Sequence, residues 1–339
     1  MQIFINIVLT LLVLTVLVVA HEYGHYVVAK RHGIKVSEFA IGFGPKLIKW
    51  NKNGTEFSIR PIFIGGYNKF ADDEEKDPVP GDFRAASLKS RFLTIIAGPA
   101  MNIVVAVILS AIFLMAAGDG QAVVQSVEQG SSAQVAGIQE GDIIRSYNGV
   151  KIDLLNYDWA EAQKQSKGDS LPLIVERDGE TLTLDVPYEQ TDDGAKQIGI
   201  NLVAQPRSFN FFESIALSFK WLFVTMGQML AALGNLFFQG QGIENMAGIV
   251  GVVGIVGQAV SYGWVNIISL AALLSVNLAI INLLPIPALD GGKVVLYAVE
   301  GIRKKPASAK VEGILNMVGM VLIFGLAIFL VFQDIGRLM

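Results

Sequence analysis

Apolar positions along this chain come in long unbroken runs separated by polar stretches, a pattern unlike the short alternations of a water-soluble fold. From Ile3 to Ala20 no residue is charged, and the apolar character continues past His21 to Ala29. Such a run is long enough to cross a hydrocarbon core of about 30 Å. Similar runs from about Phe92 to Ala117, Val265 to Leu284 and Ile314 to Phe332 predict three further spans, four in all. The first run is not read as a signal peptide. It lacks a basic leader and leads into His21-Glu-Tyr-Gly-His25 instead of a small-residue cleavage site.

The polar stretches orient the chain. Residues 30–91 carry twelve Lys and Arg, and Arg303, Lys304, Lys305 and Lys310 lie between the last two spans. By the positive-inside rule both face the cytoplasm, which puts the N-terminus and the acidic segment from Asp119 to Arg207 outside. That outer segment contains short β-type runs, Ala122 to Val127, Asp142 to Tyr147, Leu171 to Glu176 and Thr181 to Val186, with turn pairs Asn148-Gly149 and Asp178-Gly179. Its stretch Ala133 to Ile152 resembles the signature of a PDZ domain. Such domains bind an extended peptide or chain end by strand addition, and a cap that merely blocks access is the alternative.

Between this domain and the third span, Ser214 to Phe238 is aromatic and apolar but carries Lys220, and Gly248, Gly251, Gly254 and Gly257 punctuate an apolar run. A parity argument applies. If only one of the two crossed fully, Asp290 would emerge opposite His25. The expectation is therefore an amphipathic helix at the outer surface followed by a partial insertion. The predicted organisation is a membrane core at 1–117, the outer domain at 118–207, the interfacial region at 208–262 and a second membrane core at 263–339.

Composition agrees with a multi-pass α-helical membrane protein. The chain is 52% hydrophobic and 17% charged, with a mean hydropathy of +0.50. It has no cysteine, so a metal would be held by His, Asp, Glu or backbone oxygen. The net charge of -4 comes with no basic, aromatic-interleaved run, which excludes nucleic-acid binding.

Candidate chemistry centres on His21 and His25. Four residues apart on a helix, they project from one face within roughly 40°, so one ion can reach both. Glu22 beside them can move a proton, as in HExxH metalloproteases. Ionisable groups at the end of a membrane span are costly and usually functional. A third ligand is sought at Asp290, in Asn282-Leu-Leu-Pro285-Ile-Pro287-Ala-Leu-Asp290-Gly291-Gly292, where two prolines interrupt the third span and leave irregular backbone. Asp290 and His25 both fall at cytoplasmic span ends. Two His and one carboxylate leave tetrahedral zinc an open position, the arrangement of a catalytic site. His32 lies in the basic loop and is read as a solvated surface residue.

These motifs, with Gly98-Pro99-Ala-Met-Asn102 opening the second span and Gly42-Phe-Gly44, together resemble the bacterial site-2 protease family across essentially the whole chain. The resemblance implies one Zn2+ per chain on His21, His25 and Asp290, and Glu22-assisted attack of zinc-bound water on a peptide bond. It assigns Asn282 to substrate or transition-state holding. It makes the segment Glu56 to Phe70, including Ile64, Gly65, Gly66 and Tyr67, a membrane-associated β-hairpin whose edge pairs with unwound substrate, or that merely packs. Implied substrates are single-span membrane proteins already trimmed by another protease, anti-sigma-factor-like proteins, signal-peptide remnants or pheromone precursors, in a bacterial inner membrane. Two departures stand out: there is room for one PDZ domain only, and Ile249 replaces a common proline. Alternatives from other classes are an intramembrane metal transporter, against which no inverted repeat is visible, and an inactive PDZ-bearing scaffold, against which Glu22 is intact.

Overall fold

The computed structural model describes residues 2–71, 78–152, 169–190, 196–207, 209–243, 246–305 and 307–338. Contacts divide the chain into two units, one of Met1–Ile112 with Ser218–Met339, the other Phe113–Leu217.

The first unit begins with α1 (Gln2–Arg31), which ends where Gly33 takes a φ of 74°. Its last turn leads into a four-stranded sheet of β1 (Val36–Phe43), β2 (Ile48–Lys52), β3 (Thr55–Ile59) and β4 (Ile62–Phe70). The order is β2-β3-β1-β4. This corrects the expected hairpin over Glu56 to Phe70. β3 and β4 do not pair, because β1 lies between them, parallel to β3 and antiparallel to β4. The true hairpin is β2-β3, closed by Asn53-Gly54 with φ of 50° and 73°, the backbone of a two-residue type I′ turn. Residues β1 buries on both sides, Val36, Phe39 and Ala40, suit a central strand, whereas β2 is exposed throughout.

A charge cluster braces this sheet. Glu38 of β1 accepts from Arg60 Nη2 at 2.7 Å and Ser58 Oγ at 2.8 Å, with Lys46 Nζ at 3.4 Å. Burial alone would raise the Glu38 carboxyl, but the hydrogen bonds from Arg60 and Ser58 outweigh it and hold the group at about 2. Its folded pKa lies below the ordinary value of 4.5. Its stabilisation is therefore complete above about pH 4.5 and lost as pH falls through about 2. The melting-temperature gap between the wild type and Glu38→Gln should accordingly close as pH is lowered across that window. A gap independent of pH would refute the assignment.

After the sheet, Ser87 caps α2 (Leu88–Ala117) by accepting from Ser90 N at 3.1 Å. A short helix, α3 (Ser132–Val135), and then α4 (Phe211–Gln239), α5 (Ile249–Ser261), α6 (Trp264–Leu283), α7 (Asp290–Arg303) and α8 (Ala309–Leu338) follow in the chain. Among the described residues, five helices, α1, α2, α4, α6 and α8, are long and apolar enough to cross a membrane. That is one more than the four spans expected. The addition is α4, whose Leu222 is buried against Ala106 of α2 and Val276 and Ile280 of α6. Lys220 therefore does not keep the helix from packing on candidate spans. α5, at 13 residues, is too short to cross alone as a regular helix, but His25 and Asp290 stand 3.3 Å apart, so if α4 crosses, α5 and its flanking residues must carry the chain back to the face it left.

α5 has no side-chain cap of its own. Asp334, buried on α8, supplies one by accepting from Gly251 N at 2.8 Å. A Cβ at Gly248 or Gly251 would stand 2.7 and 3.0 Å from the Asp334 carboxylate, so the close approach of α8 explains these two small residues.

Arg91 and Glu300 tie α2 to α7 through a 2.7 Å ion pair with both side chains largely buried. The guanidinium also covers the Tyr297 ring at 4.8 Å, and Glu300 Oε1 accepts from Ala307 N at 2.8 Å. Arg91→Ala leaves a buried carboxylate unpaired and should cost about 3–5 kcal/mol. Thermal unfolding would show this as a lowered midpoint. Recovery by the apolar pair Arg91→Met with Glu300→Leu is expected, and an unchanged midpoint in the single variant would contradict it.

The second unit is built on an antiparallel sheet of β5 (Asp119–Val127), β6 (Ile143–Tyr147), β7 (Val150–Lys151), β8 (Ser170–Arg177), β9 (Glu180–Pro187) and β12 (Ile200–Arg207). The order is β12-β5-β6-β8-β9, with β7 on β6. Two-residue strands β10 (Glu189–Gln190) and β11 (Lys196–Gln197) pair separately. The one-turn helix α3 (Ser132–Val135) is capped by Ser131. Asn148-Gly149 and Asp178-Gly179 make the turns, all four at positive φ. The core is Ala122, Val124, Ile144, Tyr147, Leu171, Leu173, Val175 and Val186 with their neighbours.

Candidate metal centre

The centre lies in the first unit and is assembled from three helices. α1 supplies His21 and His25, buried at 7% and 6% exposure. α7 supplies Asp290, its first residue, immediately after the loop that Pro285 and Pro287 keep from continuing α6. Gly291 must be small, since a Cβ there would strike the Leu283 and Leu284 carbonyls.

His21 Nε2 and His25 Nε2 are 3.0 Å apart, and Asp290 Oδ2 lies 3.0 Å from the first and 3.3 Å from the second. Bonds of about 2.0–2.1 Å to a tetrahedral zinc put neighbouring ligand atoms about 3.3 Å apart. The observed triangle is therefore the right size for one ion. Asp290 Oδ2 is buried and accepts no hydrogen bond, although both imidazoles stand beside it. His25 Nδ1 lies 2.7 Å from the Thr94 carbonyl. A carbonyl only accepts, so Nδ1 holds the proton and Nε2 presents a bare lone pair. The His25 lone pair and the Asp290 carboxylate, 3.3 Å apart, repel unless a cation sits between them. The residues fit zinc.

The supporting groups come from α2. Asn102, fully buried, brings its amide to 3.3 Å from His21 Nδ1. With Nε2 on a metal, Nδ1 carries the proton and needs an acceptor. A half-turn of the amide provides Oδ1, which is otherwise buried without a partner. Ser275 of α6 donates to the Asn102 carbonyl at 2.8 Å and fixes this turn of α2. Gly98 faces both imidazoles, and Gly24 lets α1 and α2 approach closely against Ala97 and Met101. Pro99 lies within α2.

Glu22 differs from the three. One of its carboxylate oxygens lies within 4.8 Å of a ring nitrogen of each histidine. Its Oε2 accepts instead from Asn68, from the backbone N at 3.1 Å and from Nδ2 at 2.8 Å, and Nδ2 also donates to the Glu22 carbonyl at 2.6 Å.

The remaining predicted residues divide. β4 runs beside α1, with Gly65 over Val18 and Gly66 over Val19. Tyr67 instead lies under the Arg60 guanidinium at 5.5 Å, away from the imidazoles. For Ile64 only the strand backbone is described. Gly42, at a φ of 83°, forms a bulge between Ile41 and Phe43, and Gly44 takes a φ of 99°. Asn282 is half-buried in the last turn of α6, and no described hydrogen bond engages its side chain. His32 is exposed and donates to or accepts nothing near the centre, its Nδ1 lying 3.0 Å from the Val28 carbonyl. Asn68 and the Thr94 carbonyl carry no sequence signal.

The model of "Peptidase family M50" matches residues 9–326. The protein named "Zinc metalloprotease RasP" of Shouchella clausii is 30% identical over 419 residues, covering 96% of this chain and 97% of that protein. A Clostridium acetobutylicum protein named "Putative zinc metalloprotease CA_C1796" is 31% identical, covering 98% of each. A Synechocystis protein named "Putative zinc metalloprotease slr1821" is 34% identical, covering 95% of this chain and 92% of that protein. Matches of this extent settle the relationship: the chain belongs to peptidase family M50, the site-2 protease family of zinc metalloproteases.

Proposed function

We propose that this protein is an intramembrane endopeptidase that cuts single-span membrane proteins or signal-peptide remnants within or near their membrane segment, after another protease has removed the substrate's outer part. The observation that carries the reading is the triangle of His21, His25 and Asp290 beside Glu22, on a helix whose preceding twenty residues carry no charge. Anti-sigma-factor-like proteins, signal-peptide remnants and pheromone precursors all present such a segment.

His21, His25 and Asp290 would hold the metal. When bound, zinc supplies Lewis acidity that polarises the scissile carbonyl and brings the pKa of water toward neutrality. Glu22 accepts the proton from the attacking water and returns it to the leaving amine, so that each cleavage leaves the carboxylate as it began. Asn282, in the turn before the proline loop, would hold the substrate backbone or the developing oxyanion. A peptide bond inside a helix is shielded by its own turns, so the substrate must be extended before it is cut. The edge of β4, with Gly65 and Gly66 against α1, offers backbone groups to the strand so released.

The domain at 118–207 would be PDZ-like and extracytoplasmic, admitting only substrates without a bulky outer domain or holding a freed chain end. The basic stretches at 30–91 and 303–310 would lie in the cytoplasm and the centre near that face.

The test uses the full chain in proteoliposomes with a tagged single-span substrate. Cleavage inside the apolar segment, located by mass spectrometry, abolished by a zinc chelator and restored by added Zn2+, is expected. Cleavage only in exposed loops, or cleavage indifferent to the chelator, would overturn the reading.

A further inference from the structure

We propose that Asn68 is the positioning residue of Glu22, a role that rests on the reading of Glu22 as the proton carrier. Asn68 lies on β4, 46 positions from Glu22 in sequence, yet it makes three hydrogen bonds to that one residue. Two of them, from the backbone N and Nδ2, end on the same carboxylate oxygen, Oε2. The third fixes Nδ2 against the Glu22 carbonyl. Oε1 accepts none of these, so one oxygen is anchored while the other is left for the proton. A glutamate side chain turns about three bonds, and a base displaced by about 1 Å can lose on the order of 100-fold in rate. Holding both its backbone and its carboxylate from one neighbouring strand removes that freedom.

The register supports an orienting role. Asn68 stands across from Phe39 of β1, but its N–H points away from β1 to Glu22. It therefore belongs to the open side of the sheet, the side on which α1 lies. Attachment of β4 to α1 does not rest on the Asn68 side chain alone, since its backbone N–H also reaches Glu22. Thr15 of α1 donates to the Phe63 carbonyl at 2.8 Å, and Val18 and Val19 pack under Gly65 and Gly66. Removing the Asn68 amide should therefore spare the fold and leave the carboxylate held by the backbone N–H alone, free to swing about that single bond.

The experiment compares Asn68→Ala, Asn68→Asp and Asn68→Ser with the wild type in the full-length protein. Bound zinc, melting temperature, kcat and KM on one single-span substrate are measured. The Ala variant should lose about 10- to 100-fold in kcat, with KM within about twofold and zinc content and melting temperature unchanged. The Asp variant keeps the shape of the side chain but offers Glu22 a second carboxylate in place of a donor, and should lose at least as much. The Ser variant retains a hydroxyl donor and should recover part of kcat. A rise in KM at constant kcat, a loss of zinc or stability in step with activity, or full activity in Asn68→Asp would overturn the proposal. Absence of cleavage by the wild type, or equal cleavage by Glu22→Gln, would instead remove the protease reading and the proposal with it.

Discussion

Replacing Glu22 by glutamine should reduce peptide-bond cleavage by about 1,000-fold or more while leaving zinc bound. Proton transfer by a positioned side chain contributes roughly 100- to 10,000-fold, and an amide cannot accept the proton that water must give up. The substitution is nearly isosteric, and an amide oxygen can still accept from Asn68, whose hydrogen bonds reach Oε2 at 3.1 and 2.8 Å. The three atoms of the triangle belong to His21, His25 and Asp290 and are untouched. Zinc analysis and turnover on the same sample decide the matter. Retained zinc with lost turnover fits Glu22 as the proton carrier. Turnover equal to the wild type would remove it from the mechanism, and loss of zinc would move it among the ligands.

The second large effect is expected at Gly98. A Cβ at this position would collide with His25 Nε2 and Cε1 and stand 2.7 Å from His21 Nε2. The obstacles are the two imidazole nitrogens that face Asp290, on rings held in place by Thr94 and Asn102. Gly98→Ala must then push α2 away from α1, a movement that Ala97 against Gly24 resists, or turn the imidazoles off the ion. Zinc affinity should fall at least tenfold, the lower end of what disturbed ligand support costs, and activity by about 100-fold. Gly227→Ala is the control. Nothing lies within 4 Å of its Cβ position in α4, and helix propensity alone favours it by about 0.5–1 kcal/mol. Full zinc binding in Gly98→Ala would mean that the helices separate more readily than their packing indicates.

What could be read in the sequence followed from local geometry. His21 and His25 share a face because a helix turns by a fixed angle, and Asp290 joins them because two prolines in close succession, at 285 and 287, keep α6 from continuing past Leu283. Asn148-Gly149 and Asp178-Gly179 marked their turns by the same local rule, since few residues tolerate positive φ. The rest depended on partners distant in sequence. Nothing in Glu56 to Phe70 reveals that β1 will lie between its two strands, because strand order is set by long-range burial of Val36, Phe39 and Ala40. The extra candidate span, α4, was obscured by Lys220, a single charge that said less than the apolar face carrying Leu222. The Thr94 carbonyl is backbone and leaves no residue-type trace, and Asn68 has no motif of its own.

The attachment of β4 along α1 has one more consequence. Thr15 grips the strand at Phe63 and Glu22 grips it at Asn68, so both ends of this stretch are fastened to the helix that carries the histidines. Strand and helix thus behave as a ruler. If an unwound substrate pairs on β4, it can do so only along the few residues between those fastenings, and Gly66 lies two residues, about 7 Å, from Asn68. The cut would then be counted off from where pairing begins. Backbone pairing does not distinguish one side chain from another, so such an enzyme would be strict about how far along an opened segment it cuts and lenient about the residues it finds there.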